Sequence, residues 1–251
     1  MAKEQGISLG WNCSGSTDGV RLGLRDKKEE GYNTCPFDMM ISNYIGLCEC
    51  IEDDFKYFCD RDYLELREAP NISPHIPNQK EGEMWIYNTK YNFTFNHEAP
   101  GHGNLYMSEK WVGGIDHFVI NDFENFIARY NRRIENFRTY LRESSFINFI
   151  IWRYNSLPIE LVEIIQRKYP NLDFRINTII NFGPHTTNCL INKSNIGGIS
   201  YETDYLRYMR IEEETHKEEY ERYHLPYRFD IVESIPDRIS IIDPKIDSRL
   251  W

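Results

Sequence analysis

Residues 146–181 leave this chain little choice of fold class. Phe146 to Trp152 is a continuous apolar run of strand length. Pro158 to Tyr169 has helical spacing with proline at its start, and Phe174 to Asn181 is again strand-like. Strand, helix and strand in that order make a βαβ unit, in which the helix carries the chain back so that the two strands run parallel. The expectation is an α/β (or α+β) protein with a βαβ unit at about 146–181. A long central helix runs from about Asp122 to Arg142. Phe123, Phe126, Ile127, Tyr130, Ile134, Phe137 and Leu141 recur there at spacings of three and four, which turns the arginines mostly outward. Asn121 or Asp122 supplies its N-cap. Ile41 to Phe55 reads as a shorter helix, Met84 to Phe95 as strand-prone, and the proline-bearing stretch Ala69 to Gly82 as a surface loop.

Beyond Gly183 the pattern weakens. Tyr201 to Arg210 fits strand or helix, Glu212 to Tyr223 a charged helix, and Phe229 to Trp251 an extended tail. The C-terminal part is therefore helical and extended. The whole of 1–251 reads as one domain, with a C-terminal subdomain from about 184 as the variation.

A net charge of -10 without a basic run excludes a nonspecific nucleic-acid binder. With 17 Tyr, 14 Phe and 5 Trp the chain is rich enough in aromatics to fold, and no apolar run reaches the length of a membrane span. The segment Met1 to Gly6 lacks the apolar core of a secretion signal, so the six cysteines are expected to be reduced thiols in a cytoplasm. Cys35, Cys48, Cys50 and Cys59 lack the paired Cys-x₂₋₄-Cys spacing of zinc modules and read as packing residues. No phosphate loop or dinucleotide fingerprint occurs, and neither a metal nor a cofactor is expected.

The stretch Ile7-Ser8-Leu9-Gly10-Trp11-Asn12-Cys13-Ser14-Gly15 carries the most chemistry. A short β-prone run ends at Gly10, and helical spacing begins at about Ser16. Cys13 thus falls at a strand-to-helix junction, where free backbone N–H groups and the helix dipole lower a thiol's pKa and can hold an oxyanion. The competing reading is a small buried thiol. A thiol nucleophile needs a base. His97 is the best of seven histidines because it ends the β-prone run Tyr91 to Phe95 and opens a Gly-containing loop, with His102 and His117 as substitutes. Asp38 is the candidate orienter of the imidazole, with Asn96, Glu98 and Asp116 as alternatives. The N–H groups near Cys13 and Ser14, or the Asn12 side chain, would bind the oxyanion.

Several segments together resemble a known family. Ile7-Ser8-Leu9-Gly10-x-x-Cys13, Leu22-Gly23-Leu24-Arg25 and Pro36-Phe37-Asp38 come in order. Phe95-Asn96-His97-Glu98, Tyr130-x-Arg132-Arg133-Ile134-x-x-Phe137 and Phe149-Ile150-Ile151-Trp152-Arg153 follow. Over roughly residues 5 to 180 the set resembles an uncharacterised family described as putative papain-like cysteine peptidases, with bacterial and giant-virus members. The richness in Asn, Ile and Tyr resembles the viral branch. The resemblance implies a Cys13–His97 pair with Asp38 on the Pro-Phe-Asp motif.

The leading expectation is a thiol-dependent acyl-transfer enzyme that cleaves an amide or ester in a peptide, ester or acyl-bearing substrate. Arg132 and Arg133 would meet an anionic substrate, or be solvated, or have one member salt-bridged in the core. The alternatives are a CoA-dependent acyltransferase acting on a glycan, which the Gly-x-x-Cys opening also resembles, and a non-catalytic viral structural or host-interaction protein. Neither nucleic acid nor membrane is expected as a partner, and the location would be cytoplasmic, in the host cytoplasm or virion if viral.

Overall fold

The computed structural model describes residues 4–10, 12–68, 84–100, 111–152, 158–181, 187–195 and 198–203. Three strands, β1 (Glu4–Ser8), β5 (Phe146–Trp152) and β6 (Phe174–Asn181), run parallel with β5 in the middle. β7 (Thr187–Asn195) and β8 (Gly198–Thr203) extend this sheet antiparallel beyond β6, giving the order β1-β5-β6-β7-β8. A strand flanked on both edges and covered on both faces should be largely apolar, and Ile147 to Ile151 are all buried, with Asn148 the one polar residue among them. The βαβ unit closes through α4 (Ile159–Lys168), as its sequence pattern requires.

Between β1 and β5 lie α1 (Ser14–Arg21), α2 (Tyr44–Glu52), a second sheet and α3 (Ile120–Glu143). The second sheet is antiparallel, formed by β2 (Leu64–Glu68), β3 (Met84–Asn88) and β4 (Phe93–Phe95). The strand-prone run 84–95 is thus a hairpin, turned at Asn88 to Asn92 with Asn92 at φ 54°. The predicted helix 41–55 shortens to α2 because Asn43 caps it, its side chain accepting from the Gly46 N–H at 2.7 Å.

The long helix begins differently from its sequence pattern. Val119 occupies the N-cap, while Asn121, Asp122 and Phe123 take left-handed φ values of 51°, 56° and 66°. The Asp122 carboxylate instead pairs with Arg61. From Phe126 onward the apolar stripe is as predicted, and Phe126, Tyr130, Ile134 and Phe137 are buried. Arg133 departs from the outward pattern: it is 5 % exposed. Among the described residues no helix is long and apolar enough to cross a membrane. Ala69 to Gly82, His102, residues 204–210, Glu212 to Tyr223 and Phe229 to Trp251 lie outside the described residues.

One aromatic cluster joins the layers. Phe58, fully buried, has its ring centroid 5.5 to 6.0 Å from those of Phe37, Phe55, Phe93, Phe95 and Tyr130. The second sheet, α3 and the turn at 36–39 therefore share a single core.

Candidate active site

The site begins at the carboxyl end of β1, the edge at which α/β sheets gather functional groups. Leu9 extends the pairing with β5 by one bond, its N–H reaching the Ile150 carbonyl at 2.7 Å. Gly10 then turns the chain with φ 97°, a conformation L side chains rarely adopt. A Cβ there would lie 2.0 Å from Ser42 Oγ. We expect Gly10→Ala to cost about 1–3 kcal/mol in chemical denaturation from strain alone. Trimming the clash with Ser42→Ala should recover only part of the loss; full recovery would show that the backbone angle carries no strain.

Cys13 follows as the N-cap residue of α1, half-buried, with φ −65°. The close approach of α1 to the sheet sets this placement. A Cβ on Gly15 would meet Ser8 Oγ at 2.8 Å, and one on Gly19 would meet Ile150 Cδ1 at 2.5 Å. The helix starts two residues earlier than its sequence pattern suggests, at Ser14. Asn12 Oδ1 accepts from the Ser14 N–H at 2.8 Å, so that candidate oxyanion donor is already engaged by a side chain from the other half of the candidate hole.

The Cys13 pKa is raised overall, where the sequence reading expects it lowered. Burial pushes the thiol up, its own backbone N–H pulls it partly back, and Asp18 one turn along raises it further. Desolvation of the thiolate outweighs that backbone hydrogen bond. Burial also lifts Cys48 and Cys59 to about 12 and Cys35 and Cys50 well above their usual range. Among the described residues no group of three or more His, Cys, Asp and Glu is arranged to hold a metal ion.

Asp38 lies in the 3₁₀ turn Pro36–Met39 and is 2 % exposed. Its Oδ1 takes Arg25 Nη1 at 2.7 Å and the Tyr32 hydroxyl at 3.4 Å, and its Oδ2 takes the Cys35 N–H at 2.8 Å. The carboxylate is thus committed to an ion pair and a turn cap. Burial still pushes its pKa up, against Arg25 and the two hydrogen bonds. The link from this turn to the thiol runs through Ser16. Its Oγ stands 2.9 Å from the Cys13 carbonyl and 3.0 Å from the Asp38 carbonyl, with one proton to share between them.

His97 is half-buried in the turn that leaves β4. That turn is tied to the thiol side by the next stretch of chain, because Ile41 and Thr94 exchange backbone hydrogen bonds of 2.8 and 2.9 Å. Segment 36–43 therefore touches α1 at one end and the strand leading to His97 at the other. Glu98 is 1 % exposed, and its Oε2 accepts from the Tyr130 hydroxyl at 3.1 Å. Its Oε1 lies 3.1 Å from Arg133 Nη1 and 3.3 Å from Arg129 Nε. Asn96 is buried and bonded through its carbonyl to the Ala99 N–H at 3.4 Å.

Of the two arginines predicted to meet substrate, Arg132 is exposed and Arg133 is the one salt-bridged in the core. His117 stacks on Trp111 with Nδ1 2.8 Å from the Val112 carbonyl, and Asp116 is exposed. The other five histidines lie outside the described residues. Beside segment 41–43 a groove of about 530 Å³ opens between α2 and the outward face of the second sheet, with Ser42, Ile45, Trp85, Tyr87 and Thr94 among its lining.

Sequence reasoning gave no part in the site to Arg25, Ser16, Arg129 or Tyr130. Two signals were present. Arg25 and Asp38 are opposite charges on neighbouring motifs, and Arg129, Tyr130 and Arg133 lie three and four apart, which puts them near one helix face.

The comparisons with curated proteins and with solved structures each return no match. A family model does match, over residues 4–183, which spans the Cys13 turn, the Asp38 turn, the His97 loop, α3 and the βαβ unit. By that match the chain belongs to the family described as "Putative papain-like cysteine peptidase".

Proposed function

We propose that the protein is a thiol hydrolase acting on an amide or ester, with Cys13 as nucleophile and His97 as proton shuttle. Cys13 Sγ attacks the acyl carbon, and its proton passes to His97 and then to the departing amine or alcohol. Water, deprotonated by His97, next cleaves the thioester, releasing the acid and restoring the thiol. Asn12, oriented through its bond from the Ser14 N–H, turns its amide N–H groups to the oxyanion. Asp38, held by Arg25, anchors the turn behind Cys13 through Ser16.

The observation that carries this reading is the half-buried Cys13 at a helix N-cap on the carboxyl edge of a parallel sheet, within a family described as cysteine peptidases. Burial pushes the Cys13 pKa up, so in this reading His97 takes the thiol proton as Sγ attacks.

Alkylation by iodoacetamide with mass readout tests the proposal. Cys13 should react ahead of Cys35, Cys48, Cys50 and Cys59. Because its pKa is raised, the rate should keep climbing as pH rises past the ordinary thiol value of 9.0 instead of levelling near neutrality. On an activated ester, Cys13→Ser should remove turnover and His97→Gln should lower it about 10²–10⁴-fold. Labelling with no preference for Cys13, together with ester turnover indifferent to His97→Gln, would falsify the proposal. A stable acetyl thioester on Cys13 after incubation with acetyl-CoA would replace hydrolysis with acyl transfer from CoA.

A further inference from the structure

The helix α3 carries a polar ladder that the proposed reaction does not itself use. Arg129, Arg133, Asn136 and Tyr140 follow one another at steps of four, three and four, along one face over about 16 Å of helix. At the N-terminal end, Arg129 and Arg133 bracket Glu98 Oε1 at 3.3 and 3.1 Å, and the Tyr130 hydroxyl donates to Oε2. At the other end, Asn136 Nδ2 donates to the Thr34 carbonyl at 2.9 Å, and the Tyr140 hydroxyl accepts the Asn33 N–H at 2.6 Å.

Each end reaches one half of the candidate site. Glu98 adjoins His97. Asn33 and Thr34 lead into Cys35, whose N–H caps Asp38, and the Asp38 carbonyl meets the Ser16 hydroxyl that also reaches Cys13. We infer that α3 acts as a ruler between the two halves, with Glu98 and Arg133 as positioning residues that fix His97 and with Asn136 and Tyr140 fixing the Cys13 side. The joint at Glu98 is a buried ion pair, with Arg133 Nη1 3.1 Å from Oε1.

The inference rests on the Cys13–His97 reading but is tested apart from it. The first readout is the ring titration of His97, followed by NMR. Glu98→Gln should move it, while Arg142→Gln, which breaks an exposed pair with Glu135 on the same helix, should not. Asn136→Ala should leave the His97 titration alone. Both Glu98→Gln and Asn136→Ala should lower ester turnover about 10²-fold with KM little changed, since a shift near 1 Å at reacting groups is enough for that loss. If Glu98→Gln does not fold, Arg133→Lys keeps a cation there and should give the same displaced titration at near wild-type melting temperature. A folded Glu98→Gln or Arg133→Lys with wild-type His97 titration and turnover overturns the ruler. By contrast, ester turnover indifferent to His97→Gln sinks the Cys13–His97 pair and leaves the effect of Glu98 on His97 to be judged alone.

Discussion

Replacing Asp38 by alanine is expected to destabilise the fold by about 3–5 kcal/mol, the usual cost of leaving a buried charge without its partner. The Arg25 side chain is 9 % exposed and its Nη1 meets Asp38 at 2.7 Å, so the guanidinium cannot recover its hydration by turning outward. The same deletion removes the acceptor of the buried Cys35 N–H, and an unsatisfied buried donor adds its own penalty. Tyr32, stacked under Arg25 with the guanidinium 4.1 Å from its ring centre, loses a hydroxyl partner as well. Urea denaturation should show the midpoint falling with little change in slope. The paired substitution Arg25→Met with Asp38→Leu is the informative control, because the isolated charge, and not the missing attraction, is what costs most. That double variant should be more stable than Asp38→Ala alone. Additive losses would mean that Arg25 finds water when Asp38 goes and that the pair is no more than a surface contact.

The second large effect is at Phe58. Its ring has no exposure and lies within ring-packing distance of five other aromatic rings. Truncation to alanine opens a cavity that neighbours from the second sheet, α3 and the 36–39 turn cannot all collapse into. The expected loss is about 3–5 kcal/mol, against about 1 kcal/mol or a little more for Phe58→Leu. Domains of this kind hold about 5–15 kcal/mol in total, so Phe58→Ala should populate unfolded protein under mild conditions. The position also matters for the site: Phe37 and Phe95, two of the rings it supports, precede Asp38 and Asn96. Equal losses for alanine and leucine would refute the cavity account and point to a ring-specific interaction.

The sequence carried the central strand, the βαβ unit, the stripe of α3 and the Cys13 junction because each is written in local periodicity. Alternation, runs and three-to-four spacing depend only on how a backbone of given geometry presents its own side chains. The start of α3 was less legible, since Asn121 and Asp122 have the chemistry of caps but take left-handed angles while Asp122 pairs with Arg61. The hairpin within 84–95 was likewise missed, although Asn88 and Asn92 at its turn are of a residue type depleted in strands.

What only the tertiary structure decided concerns charge and depth. Asp38 reads in sequence as a candidate orienter, and packing commits it to Arg25, 13 residues earlier. Arg132 and Arg133 are neighbours with identical side chains, yet one is solvated and the other is buried beside Glu98. Cys13 sits at the predicted helix terminus, and its ionisation is nevertheless governed by the chain folded around it. Local pattern names which residues share a face. Desolvation and ion pairing depend on which distant segments cover that face, and in this protein they push the thiol's pKa up and anchor Asp38 and Glu98.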